Sequence, residues 1–189
     1  MSIKGRTAEI AQELLSLAME LDEQEIRSLI TEIRNADRIF LAGAGRSGLM
    51  IRAFAMRLMH IGFTAYVVGE VVTPAAKQGD LLIMASGSGT TATMEAVAKK
   101  GKAAGVRTAL ITASPDSPVG RLSDTVLCIP TLTCKMANNG DAHSPRQPGG
   151  NTFEQCLLLL EDAVIIELMD CEDNRINNGL IMSRHANLE

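Results

Sequence analysis

Leu81-Leu82-Ile83-Met84-Ala85-Ser86-Gly87-Ser88-Gly89-Thr90-Thr91 is the stretch on which the rest of the chain turns. Its first five residues are apolar and uncharged and are entered through the turn pair Gly79-Asp80, which predicts a short buried strand. The glycine, serine and threonine residues that follow lead into helical spacing. At such a strand-to-helix turn, glycines let the backbone approach a ligand, hydroxyls donate, and the unpaired N–H groups at the helix start favour an anion. Phosphate fits that description best. The plainer reading is an N-cap, in which one hydroxyl satisfies the helix N–H groups. The gathering of Ser86, Ser88, Thr90 and Thr91 at one point favours a ligand.

Upstream, a strand from Arg38 to Ala42 runs into Gly43-Ala44-Gly45-Arg46-Ser47-Gly48 and a helix reaching about His60. This is a G-x-G-x-x-G turn, and Glu70 follows the next strand, Thr64 to Val68, near where a ribose-binding acid would lie. A dinucleotide site is therefore one reading. Against it, the chain leaves no room for a separate catalytic domain, and the better anion cradle lies at Ser86. The other reading is a sugar-binding turn with Arg46 and Ser47 as donors. A cation at a helix start opposes the helix dipole unless an anion is near, which favours a ligand role for Arg46.

Downstream, a helix from Thr90 to Ala104, a strand from Arg107 to Thr112 and a strand from Thr125 to Ile129 continue the alternation. Strands and helices at this spacing predict an α/β fold, an open parallel sheet with helices on both faces. Ligands in such sheets bind beyond the carboxyl ends of the strands, where both glycine-rich turns fall. Residues 131–150 lose periodicity, and an irregular loop of that length is often functional. Lys135, His143 and Arg146 lie in it. Asn151 and Glu154 then have the spacing of a capping box at the head of an apolar helix. Before the first strand, Ile10, Leu14, Leu17, Leu21, Ile26, Leu29, Ile30 and Ile33 predict an amphipathic helix broken near Leu21-Asp22. The tail from Asn174 to Glu189 reads as a final short helix.

Composition narrows the function. With 189 residues and 46% hydrophobic content, the chain can bury one sizeable core. A net charge of −4 with no Lys/Arg cluster argues against nucleic acid or an anionic membrane as partner. The absence of Trp removes stacking platforms, so ligand contacts should be hydrogen bonds. Cys128, Cys134, Cys156 and Cys171 have neither zinc-site spacing nor disulfide density, and are expected to be reduced packing residues. With no spanning apolar run and no signal-like start, a cytoplasmic protein is expected.

Taken in order, Gly43 to Gly48, Ser86 to Thr91, Gln147-Pro148-Gly149-Gly150-Asn151-Thr152-Phe153-Glu154-Gln155, and the ending Arg184-His185-Ala186-Asn187-Leu188-Glu189 resemble the sugar isomerase (SIS) domain family over nearly the whole chain. The resemblance implies a three-layer, flavodoxin-like α/β fold with five parallel strands and an extra N-terminal helix. Residues 1–189 would form one domain, with 1–36 its N-terminal helical segment and 174–189 its C-terminal helix and tail. It also implies a homotetramer with sites near subunit contacts, no cofactor, no metal, and a phosphorylated ketose as substrate. The chemistry implied is conversion of D-arabino-hex-3-ulose 6-phosphate to fructose 6-phosphate, a step of the ribulose monophosphate pathway. Two departures stand out: Thr90, where relatives often carry Glu, and Gly149, where Met is usual before Gly150. They bear on substrate preference more than on chemistry.

By this resemblance Glu154 matches the family's catalytic Glu. Moving a carbonyl from C3 to C2 needs a base at C2, an enediolate, and proton return at C3, and one well-placed carboxylate can do both transfers. The proton between O2 and O3 calls for a second group, for which His60 and His185 are the candidates. His60 ends its helix far from the turn and would serve a neighbouring subunit's site. Phosphate binding falls to Ser86, Ser88, Thr91 and Ser47, with backbone N–H groups of Gly87 and Gly89, while Gly45 shapes the turn from which Arg46 faces the enediolate. The alternatives are a non-catalytic sugar-phosphate sensor, for which the N-terminal segment is too short to carry a DNA-reading module, or an isomerase of another phosphosugar.

Overall fold

The computed structural model describes residues 2–131, 147–171 and 178–187. Lys135, His143, Arg146 and Cys134 lie outside the described residues, as does most of the 131–150 loop.

Helices α1 (Ile3–Ala18) and α2 (Glu23–Arg34) precede strand β1 (Ile39–Gly43), helix α3 (Gly45–Ile61), and strands β2 (Ala65–Val67) and β3 (Leu81–Ala85). Helix α4 (Ala92–Ala103), strand β4 (Arg107–Thr112), a 3-10 turn at Gly120–Leu122, strand β5 (Thr125–Cys128), and helices α5 (Asn151–Cys171) and α6 (Asn178–Ser183) complete the order. The expected break near Leu21-Asp22 has a clear cause. Asp22 caps α2, its Oδ1 accepting from the Gln24 and Glu25 N–H groups at 2.7 and 3.1 Å.

All five strands are parallel, in the order β2-β1-β3-β4-β5. Successive side chains of a strand face opposite ways, so each central strand feeds two cores. Ile39, Leu41, Leu81, Ile83 and Ile111 pack on the side covered by α2, α3 and α5. Phe40, Ala42, Leu82, Met84 and Leu110 face the other side with Met94 and Ala98 of α4 and Val119. That double burial explains why Leu81 to Ala85 is an unbroken apolar run rather than an alternating one. The far edge is tied down as well, because Glu25 Oε2 on α2 accepts from the Cys128 N–H at 2.7 Å.

At the amino ends of the strands, Arg38 grips the buried Asp80 with two hydrogen bonds, Nε to Oδ1 at 2.9 Å and Nη2 to Oδ2 at 2.6 Å. Burial pushes the Asp80 carboxyl up, but the Arg38 and Lys77 N–H donors outweigh it and hold the group below the usual aspartate range. This pair anchors the sheet at the end away from the glycine-rich turns. Among the described residues, no helix is long and apolar enough to cross a membrane.

Candidate active site

The chain leaves β1 for β2 on one side and returns to β3 on the other, so the strand order reverses between β1 and β3. Open α/β sheets bind ligands in the crevice above that reversal. Register brings the two strand ends level, with Gly43 opposite Ala85. The turns into α3 and α4 therefore rise side by side. Neither helix has a side-chain cap: Ala44 precedes α3, and Thr91, at the N-cap of α4, makes no capping hydrogen bond. Two helix starts with uncapped N–H groups thus converge on one point, as an anion site requires.

The α3 turn approaches β1 closely because of a glycine. A Cβ on Gly48 would stand 2.8 Å from the Gly43 carbonyl oxygen, so a side chain there would push the helix start away from the strand.

A cavity of about 160 Å³ opens at this point, walled by Ser47, Ser86, Ser88, Thr91, Phe153 and Glu154. The Ser86 hydroxyl lies 3.5 Å from Thr91 Oγ1, and Ser88 Oγ accepts from Thr90 Oγ1 at 3.1 Å. The β4 side fixes the loop from behind: Gly87 O accepts from the Ala113 N–H at 3.0 Å and from Thr112 Oγ1 at 3.2 Å, and Gly89 O accepts from the Val119 N–H at 3.1 Å. These bonds hold the hydroxyl-bearing turn in shape.

Opposite the cradle stands the first turn of α5. The Asn151–Glu154 capping box expected from spacing does not form. Asn151 Oδ1 instead accepts from Arg46 Nη1, and the Glu154 N–H donates to Gly150 O at 3.0 Å. Arg46 Nε lies 3.5 Å from Glu154 Oε2, so the guanidinium from the α3 turn spans Asn151 and the carboxylate. This supplies the anion that a cation at a helix start requires. Glu70, placed by sequence near where a ribose-binding acid would lie, is paired on the surface with Arg52 of α3.

Of the residues expected at the site, Ser47, Ser86, Gly87, Ser88, Thr91 and Glu154 line the cavity. Gly45, Arg46 and Gly89 are not part of its lining. Gly45 turns the chain into α3 with φ of 58°, and Arg46 reaches the site through Glu154. The Gly89 N–H, expected to serve phosphate, donates to Ser86 O at 3.1 Å, because the tight turn closes on itself. Sequence reading missed Ala44, Ala85, Met94, Gly150 and Phe153 in the lining. Phe153 carried a usable signal, being an aromatic beside the candidate base at a helix start.

His60 and His185 meet elsewhere. His60 is at the carboxyl end of α3, about 22 Å along the axis from Gly45 at the usual helical rise. Its ring stacks on His185 with centroids 5.0 Å apart, and Arg184 Nη1 donates to His60 O at 3.1 Å. Burial, then His185 and Arg57, hold the His60 imidazole below its usual value, which leaves it neutral at neutral pH. Neither ring lines the cavity of its own chain.

Cys128 and Cys156 are free thiols. Burial raises both, Cys156 to about 11, as befits packing groups rather than nucleophiles. Among the described residues no cluster of His, Cys, Asp and Glu side chains is gathered as metal ligands are.

Comparison with known proteins places this fold in a family. The SIS domain family model matches residues 32–139. A 3-hexulose-6-phosphate isomerase of Bacillus subtilis (strain 168) is 43% identical over 182 residues, 96% of each chain. A 3-hexulose-6-phosphate isomerase of Mycobacterium gastri is 42% identical, covering 95% of this chain and 88% of its own. A crystal structure of a Methanococcus jannaschii protein, for which the function of 3-hexulose-6-phosphate isomerase was inferred, superposes with a TM-score of 0.83 at 35% identity, over 98% of this chain and 99% of that one. With this fold, this crevice and these relatives, the chain belongs to the SIS domain family.

Proposed function

We propose that this protein is a 6-phospho-3-hexuloisomerase, converting D-arabino-hex-3-ulose 6-phosphate to fructose 6-phosphate as in the ribulose monophosphate pathway. The observation that carries the reading is the presence, in one cavity, of a hydroxyl cradle on two uncapped helix starts and, alone among the carboxylates of the described residues, Glu154 facing it. Relatives named for this activity at about 40% identity support the choice of substrate.

Ser47, Ser86, Ser88 and Thr91 hold the phosphate, assisted by backbone N–H groups of the Ser86 turn. Glu154 removes the proton from C2, the C2–H electrons form the C2=C3 double bond, and the C3 carbonyl oxygen takes the negative charge. Arg46, beside Glu154, stabilises that enediolate. A proton passes from O2 to O3, the C2 carbonyl forms, and the Glu154 carboxyl returns its proton to C3. Atoms and charge balance without a redox partner.

Among the described residues of one chain, no imidazole lines the cavity to carry the proton between O2 and O3. His60 and His185 would supply it from a neighbouring copy in a homotetramer. The exposed Leu49, Met56 and Met59 on α3, with Leu159 and Ile166 on α5, support packing of these helices against another copy.

The test is an assay of purified, metal-stripped protein with hex-3-ulose 6-phosphate, other ketose phosphates and arabinose 5-phosphate, reading loss of each substrate and formation of its own isomer by chromatography. Turnover of the 3-hexulose well above the others is the expected result, and preference for another phosphosugar would refute the substrate. Glu154→Gln keeps shape but loses the base, so turnover should fall by at least about 100-fold with substrate affinity retained. Near-normal turnover would refute the base.

A further inference from the structure

Glu13 of α1 lies outside the stretch matched by the family model, yet its carboxylate reaches the segment that carries Glu154. Oε1 accepts from Thr152 Oγ1 at 3.0 Å, and Oε2 accepts from Gln147 Nε2 at 3.2 Å. Gln147 Nε2 is in turn 3.4 Å from Thr152 Oγ1. Thr152 and Gln147 are only 4% and 8% exposed, so without Glu13 each would lose a partner that water cannot readily replace. A charged acceptor makes these bonds stronger than neutral ones.

The two donors bracket the bend of Pro148, Gly149, Gly150 and Asn151 that leads into α5. Holding both ends fixes how the first turn of the helix leaves the loop. On the other side, Arg46 grips Asn151 and approaches Glu154. The turn is therefore clamped between α1 and the α3 start, with Glu154 one residue beyond Phe153 and facing the cavity.

We propose that Glu13 is a positioning residue for the isomerisation, orienting Glu154 through Thr152 and Gln147. The proposal rests on Glu154 being the base. Glu13 touches no cavity wall, so its loss should spare ligand binding and cost turnover, since small displacements of a catalytic group are expensive.

The experiment compares Glu13→Ala, Glu13→Gln and Thr152→Val, each alone and in the Glu154→Gln background, by kcat and KM with hex-3-ulose 6-phosphate, Kd for fructose 6-phosphate, and thermal unfolding. Expected for Glu13→Ala is a kcat lower by about 10- to 100-fold, with KM and Kd within about threefold. Glu13→Gln, which keeps one acceptor, should fall between it and the parent. Thr152→Val should lower kcat in the same way and serves if Glu13→Ala does not fold. In the Glu154→Gln background none of the three should lower kcat further, because they act through the same group. Unchanged kcat, a lower Tm alone, or an additive loss in the double variants would overturn the positioning role while leaving Glu154 as base. Normal turnover in Glu154→Gln alone would overturn both.

Discussion

Glu161 is an acid on α5 that the chemistry leaves unused, 2% exposed and with neither carboxylate oxygen hydrogen-bonded. Burial first, and Asp162 second, push it up from 4.5 to about 9. The folded chain thus keeps a proton that the unfolded chain releases, and stability present below the unfolded value drains away as pH rises toward the folded one. Asp80 and His60, both lowered on folding, act below about pH 6.5 and in the opposite sense, which leaves the alkaline side to Glu161 among these three. Between pH 7 and 9 the loss should be about 2 kcal/mol. Glu161→Met should flatten that slope and raise stability at pH 9 in urea titrations, and an equal slope in the variant would contradict the burial argument. Ser88 makes a prediction of the other kind. Ser88→Ala should weaken fructose 6-phosphate binding about tenfold, the worth of a hydrogen bond to a charged group, in calorimetric titration, with no effect on unphosphorylated fructose. Such roles are only partly legible from residue type. Serines clustered at a helix start announce an anion site, whereas Glu13 and Glu161 look like ordinary charges on amphipathic helices until their neighbours are known.

The turn from β3 into α4 works because Gly89 has φ of 58° and no side chain. A Cβ there would lie 1.9 Å from Ser117 Oγ, within the loop that holds the cradle from behind. Gly89→Ala should therefore lower both thermal stability and fructose 6-phosphate affinity. Gly69→Ala is the control, since Gly69 has positive φ but open space around it and should cost only the left-handed backbone term of about 1 kcal/mol. Equal losses in the two variants would mean that contact with Ser117 is unimportant. Local elements were largely readable. Leu81–Ala85 begins and ends where its apolar run does, and β4 has the expected bounds Arg107–Thr112 around its apolar centre Ala109-Leu110-Ile111. Helix α4 begins at Ala92, two residues beyond where helical spacing predicts, because Thr90 is tied back to Ser88, a side-chain bond that propensity does not encode. The capping box at Asn151 failed for a similar reason, since Arg46 competes for the same oxygen from a distant part of the chain.

The complete molecule raises the question of how His60 and His185 reach a substrate. They stack at the far end of α3 from their own cavity, so the proposed mechanism needs copies arranged with one α3 carboxyl end over another's Glu154. Complementation tests this. Glu154→Gln and His60→Ala, each inactive alone, should regain measurable turnover when unfolded together and refolded as a mixture, because some assemblies then hold one site with both groups. Near-normal turnover of His60→Ala alone would place His60 outside the chemistry, and failure of mixed assemblies built from two inactive variants would rule out a site shared between copies. Sequence alone determined the layered α/β architecture and the two glycine-rich turns, and it nominated Glu154 as the base to be tested, because periodicity, turn residues and motif order are properties of neighbours along a chain. Only the tertiary structure decided that Arg46 faces Glu154, that the Gly89 N–H is spent inside its own turn, that Glu13 holds the head of α5, and that the two histidines sit together away from the cavity. Each of these is a contact between residues remote in sequence or a competition among nearby donors, and it is settled by packing rather than by pattern.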